Sequence, residues 1–159
     1  MNDIEIARQI SPEVGLHYEQ GRANSRVLSE HSLKCFRSLA SVICHYLDNR
    51  LSLTMKLDDN IHAIKTSRLL KTPDIYRLHV LRLNGNKGVH SEACPETDFL
   101  RLASESEKAA LDLIKTLYKL DTGEDSTDLE IADVASNELQ RICYKAMFEQ
   151  DVDAMCVNR

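Results

Sequence analysis

The sequence predicts an all-α protein, an antiparallel bundle of about five helices. Three observations carry that expectation. Apolar residues recur at steps of three and four over long stretches, which is the spacing of one helix face. No segment alternates apolar and polar residues as a half-buried strand would. Five glycines and three prolines in 159 residues are too few to punctuate a turn-rich sheet protein.

The elements follow in chain order. Residues 1–20 are mixed, with a short helix from Ile4 to Ile10 stopped by Ser11-Pro12. From about Ala23 to Asn49 the pattern is strongly helical: Leu28, Cys35, Phe36, Leu39, Ile43, Tyr46 and Leu47 form one apolar stripe. His17 and Tyr18 precede this helix and are placed to anchor it. A connector from Leu51 to Lys56 leads to a helix near Leu57 to Leu70. Its acidic start, Asp58-Asp59, and basic end, Arg68 and Lys71, suit the helix dipole. Thr72-Pro73 interrupts and then opens a third helix, because proline disfavours helix before itself but tolerates the first turn. That helix is expected to break at Asn84-Gly85. Cys94-Pro95-Glu96-Thr97-Asp98 supplies the next helix start, for a run from Phe99 to Leu120 closed by Gly123. A final helix is expected from Asp128 to about Gln150. The chain thus divides into a bundle over residues 1–120 and an acidic linker with a C-terminal helix over residues 121–159.

Bulk composition excludes several classes. With 43% apolar and 28% charged residues, the chain has the make-up of a globular domain large enough to bury its own core. Cys35, Cys44, Cys94, Cys143 and Cys156 are odd in number and contain no C-x-x-C pair, so neither a disulfide framework nor a zinc knuckle is indicated. Cys35 and Cys44 are expected as small buried hydrophobes. The start, Met1-Asn2-Asp3-Ile4-Glu5, lacks the features of a signal peptide, and no apolar run approaches a membrane span. A cytoplasmic protein without cofactor, metal or membrane contact is the expectation.

The formal charge of −5 argues against general nucleic-acid affinity. Charge is uneven, however. Lys65, Arg68, Lys71, Arg77, Arg82 and Lys87 face a single Asp74 within the stretch Lys65–Lys87, which is a candidate surface for phosphate. Residues 121–138 carry seven acids and no base.

Leu81 to Ser91 concentrates the chemistry. Gly85 and Gly88 permit close backbone approach, Asn84 and Asn86 tolerate left-handed conformations, and Arg82, Lys87 and His90 add charge and a titratable ring. Read from the residues, this is a tight interhelical turn able to present N–H groups to an anion. No phosphate-loop pattern accompanies it. His31, His45, His62 and His79 lie in helical runs without a carboxylate at metal-ligand spacing, and Ser32, Ser38 and Ser41 lack a nucleophile-elbow context.

The run Ile75 to His90, with Arg82, Gly85-Asn86 and His90 at its fixed positions, resembles the signature of a HEPN-like helical domain of unknown function. Such domains occur near the N-termini of type I restriction-enzyme motor subunits. The resemblance extends over roughly residues 17 to 120, and it implies a homodimeric bundle. Catalytic HEPN proteins are metal-independent ribonucleases with an Arg-x4–6-His motif. Here the position five before His90 is Gly85, and seven residues separate Arg82 from His90. The resemblance therefore implies a non-catalytic interaction or dimerisation module, with Arg82, Asn86, Lys87 and His90 as binding residues and contact with nucleic acid through Lys65–Lys87. A ribonuclease using His90 with Arg82 is the alternative. The tail from Met147 to Met155 resembles the start of a Sel1-like helical repeat. That likeness gives a further alternative, a structural cap for repeats that follow in a longer bacterial protein.

Overall fold

The computed structural model describes residues 1–93 and 96–134. Six α-helices make up this part: α1 (Asp3–Ile10), α2 (Pro12–Asn24), α3 (Ser29–Leu47), α4 (Leu57–Thr66), α5 (Thr72–Val89) and α6 (Phe99–Thr122). The all-α class is as expected, with one helix more than the five anticipated. The extra helix comes from residues 1–20, whose second half forms most of α2.

Local chemistry explains the boundaries. Asn2 and Glu5 close a capping box at the start of α1, the side chain of each accepting from the backbone N–H of the other. Ser11, in extended conformation, ends α1, and its Oγ accepts from Val14 N at 3.1 Å to start α2, with Pro12 in the first turn. Thus one residue forms the elbow between two helices. Asp98 caps α6, and Gly123 ends it at φ +74°, a left-handed position that glycine occupies without steric cost.

Four boundaries depart from expectation. Helix α3 begins at Ser29 rather than about Ala23, because Ala23 and Asn24 form the end of α2. Helix α4 ends at Thr66 rather than Leu70. Leu69 N bonds back to Ile64 O at 3.2 Å and Arg68 N to Lys65 O at 3.1 Å, a Schellman closure with Arg68 at φ 55°. Helix α5 does not break at Asn84-Gly85 but continues to Val89. Residues 128–134 do not begin a helix, because their backbone bonds go to α1: Asp3 N donates to Glu130 O at 3.0 Å, and Ala132 N donates to Asp3 Oδ1 at 2.7 Å. The rest of the expected final helix, the repeat-like tail and the Cys94-Pro95 start lie outside the described residues.

Helix α3 is the centre of the bundle, packing against α2, α4, α5 and α6, with its largest interface on α5. The core joins Ile6, Val14 and Tyr18 of the first two helices to Phe36, Leu39 and Ile43 of α3. Ile61 and Ile64 of α4, Leu78 and Leu81 of α5, and Leu113 and Ile114 of α6 complete it. All of these side chains are fully or almost fully buried. Cys35 and Cys44 are buried thiols, and burial pushes them up to about 11 and about 12. Tyr46, expected in the apolar stripe, instead reaches Asp121 with its hydroxyl. No helix among the described residues is long and apolar enough to cross a membrane.

Candidate functional site

The stretch from Leu81 to His90 is the end of α5 and its C-cap, not a loop, and Ser91 starts a short 3-10 turn, Ser91–Ala93. Leu81, Asn84, Gly85 and Gly88 are buried, at the i, i+3, i+4, i+7 positions of one helix face. The hydrophobic pattern stops after Leu81 because asparagine and glycine take over the buried positions. The burial pattern does not stop.

Close approach to α3 is what these glycines provide. A Cβ on Gly85 would lie 2.3 Å from the Cβ of Arg37, and one on Gly88 would lie 2.8 Å from the Cβ of Leu33 and 2.9 Å from Glu30 O. Neither glycine takes a positive φ. Beside them, Arg37 Nε donates to Asn86 Oδ1 at 2.9 Å, tying α3 to α5. On the adjoining face, Asn84 Nδ2 donates to Ser106 Oγ of α6 at 3.2 Å, both residues being buried. One turn of α5 is therefore wedged between two helices, and its unusual composition follows from that.

Arg82 and His90 are not brought together. Eight helical steps separate them by about 12 Å along the axis and about 80° around it. Arg82 Nε donates to His79 Nδ1 at 3.2 Å and lies 3.8 Å from Asp58 on α4. As the acceptor of that bond, His79 is held neutral; burial first, then the Arg82 and Lys65 cations, lower its proton affinity below the usual histidine value. His90 is exposed at the C-cap, where its backbone N–H donates to Asn86 O at 3.0 Å. Lys87 is exposed on the last turn.

The basic stretch from Lys65 to Lys87 is divided by the fold. Arg77 is half-buried between Asp74 at 2.8 Å and Asp112 at 3.4 Å. Arg82 faces Asp58. Lys65, Arg68 and Lys71 remain exposed together around the α4–α5 corner. Lys87 lies sixteen residues beyond Lys71, roughly 24 Å along α5 at helical rise.

The other histidines do structural or surface duties. His45 Nδ1 is 2.8 Å from Leu51 O, His31 touches Cys35 Sγ at 3.7 Å, and His62 is exposed. No group of three or more His, Cys, Asp or Glu side chains among the described residues could hold a metal ion.

One charged cluster was not apparent in the sequence. Asp3 is fully buried, and its carboxylate accepts from Tyr18 Oη at 2.5 Å, Arg22 Nη1 at 2.8 Å and Ala132 N at 2.7 Å. Arg22 also pairs with Glu107 of α6 at 3.2 Å and donates to Ala132 O at 2.7 Å. Burial, with the Asp3 hydroxyl bond next, drives the Tyr18 phenol far above its ordinary range. The only sequence hint was Tyr18, placed as an anchor. Its partner, an aspartate at the third residue, has the look of a helix-capping acid.

Compared with known proteins, the chain matches no family model, no curated protein and no solved structure.

Proposed function

We propose that this chain is a non-catalytic helical interaction module, HEPN-like in its α5 signature, that associates with a second copy of itself. The observation that carries the reading is the use made of the signature residues. Asn84, Gly85, Asn86 and Gly88 are engaged in seating α5 against α3 and α6. The arginine of the pattern is engaged with His79 and Asp58. A metal-independent ribonuclease needs a cation to stabilise charge developing at the phosphorus beside its histidine. Within one chain, Arg82 stands too far from His90 to supply it.

What α5 leaves outward supports association. Tyr76 and Leu83 are 69% and 50% exposed, two turns apart on one face, with half-buried Val80 between them and Lys87 and His90 following at the same spacing. A second copy would cover this apolar stripe. Nucleic-acid contact is the lesser component, confined to Lys65, Arg68 and Lys71 at the α4–α5 corner. So few phosphate contacts give weak binding with a shallow salt dependence, because the salt slope scales with the number of phosphates neutralised.

Molar mass in solution tests the association. Wild-type protein is expected to show concentration-dependent mass above 18.1 kDa by light scattering, lost in Tyr76→Glu/Leu83→Glu. A monomer at all concentrations would refute self-association.

A further inference from the structure

The buried Asp3–Arg22 pair does more than join helices. It grips both backbone polar groups of one residue, Ala132, in a segment outside every helix. Asp3 Oδ1 accepts the N–H of Ala132 at 2.7 Å, and Arg22 Nη2 donates to the C=O of the same residue at 2.7 Å. One register further back, Asp3 N donates to Glu130 O at 3.0 Å, and Asn2 pairs with Glu130 as a parallel bridge. These contacts recognise main chain and are indifferent to side chain. Selectivity comes from the side chains that turn inward: Leu129, Ala132 and Val134 pack on the core, while Glu130, Ile131 and Asp133 are exposed.

We infer that the cleft between α1, α2 and α6 is a binding site for an extended polypeptide strand, occupied in this chain by its own residues 129–134. The occupant belongs to no helix, and it joins the bundle by a short exposed connection, residues 123–128. Such a strand opens without unfolding the helices, since little of its backbone bonding is internal. The receptor side chains are tied to one another as well as to the segment: Tyr18 Oη donates to Asp3, Arg22 pairs with Asp3 at 2.8 Å, and Glu107 pairs with Arg22 at 3.2 Å. The ligand class is an extended segment with a small residue bearing a free N–H at its centre and a branched apolar residue two positions later. Proline at the centre is excluded, because it has no N–H for Asp3. This inference is independent of self-association through α5.

The test uses the full chain carrying Ala132→Pro, which removes the clamped N–H outside every helix. Cleavage after Glu130 by a glutamate-specific protease is expected to accelerate by about tenfold or more, with the far-UV helix signal unchanged, because cleavage tracks the open population. A free peptide with the sequence Ser126–Val134 is then titrated into this variant and followed by NMR. The amide signals of Tyr18, Arg22 and Glu107 are expected to return toward their wild-type positions. The same peptide with proline at its seventh position should leave them unmoved. Val134→Asp, which removes the apolar anchor instead, serves if the proline variant loses helix. Cleavage no faster than wild type, or no spectral response up to millimolar peptide, would overturn the inference.

Discussion

The Cβ that Gly85 lacks would sit 2.3 Å from the Cβ of Arg37, so α3 and α5 touch backbone to side-chain root at this point. A Cβ cannot rotate away, and so any residue larger than glycine forces the helices apart. Gly85→Ala is expected to lose about 2 kcal/mol in urea unfolding, since a clash this close puts overpacking near the top of its range, about 3 kcal/mol, against the roughly 1 kcal/mol gained in helix propensity. A variant as stable as wild type would mean that the close approach is dispensable.

The Asp3 cluster sets a larger effect. Replacing Asp3 by Ala leaves Arg22 buried beside Tyr18 without its main counter-charge, and breaking such a pair costs about 3–5 kcal/mol. Arg8→Ala is the control. Its pair with Glu19 is solvent-exposed, and it should change stability by less than about 1 kcal/mol. Similar losses in the two variants would contradict the buried network.

Arg68 offers a gain. It closes α4 in a left-handed conformation at φ 55°, where a Cβ carries a steric cost of roughly 1–2 kcal/mol. Arg68→Gly should therefore stabilise the chain by about 0.5–1 kcal/mol, the larger backbone freedom of unfolded glycine offsetting part of the relief. The same variant removes one of the three exposed cations at the α4–α5 corner. Any nucleic-acid affinity should fall while stability rises, and thermal melting with a binding titration at low salt checks both directions.

These relationships differ in how legible they were in the sequence. The stripes of α3 and α6 were plain, because leucine and isoleucine mark their buried faces at helical spacing. So were the stops at Ser11-Pro12 and Gly123. The course of α5 was not, because its buried positions pass from Leu81 to Asn84, Gly85 and Gly88, residues that locally favour turns. Only the neighbouring α3 face, with Arg37 and Leu33 pressed against it, makes them helical. The Asp3 cluster was hidden for another reason. Its members lie in α1, α2, α6 and the segment around Ala132, and nothing in their local spacing shows that they meet. The basic stretch could be read as composition, but not as a surface, because Arg77 and Arg82 turn to acids on α6 and α4.

Cys44 predicts the alkaline limb of stability. Its thiol is pushed up to about 12 by burial, from 9.0 when free. The folded state thus keeps a proton that the unfolded chain releases. The contribution is fully present below pH 9 and is lost as pH rises toward 12, at up to about 1.4 kcal/mol per pH unit. Urea midpoints for wild type and Cys44→Ala between pH 8 and 10.5 should converge as pH increases. Parallel curves would show that the thiol is not shielded.

The central claim is that α5 carries a structural signature and not an active site. Incubation of wild-type and His90→Ala protein with single-stranded and structured RNA tests it most directly. The account predicts no His90-dependent cleavage, with any residual turnover equal in the two proteins. Reproducible cleavage by wild type that disappears in His90→Ala would contradict it.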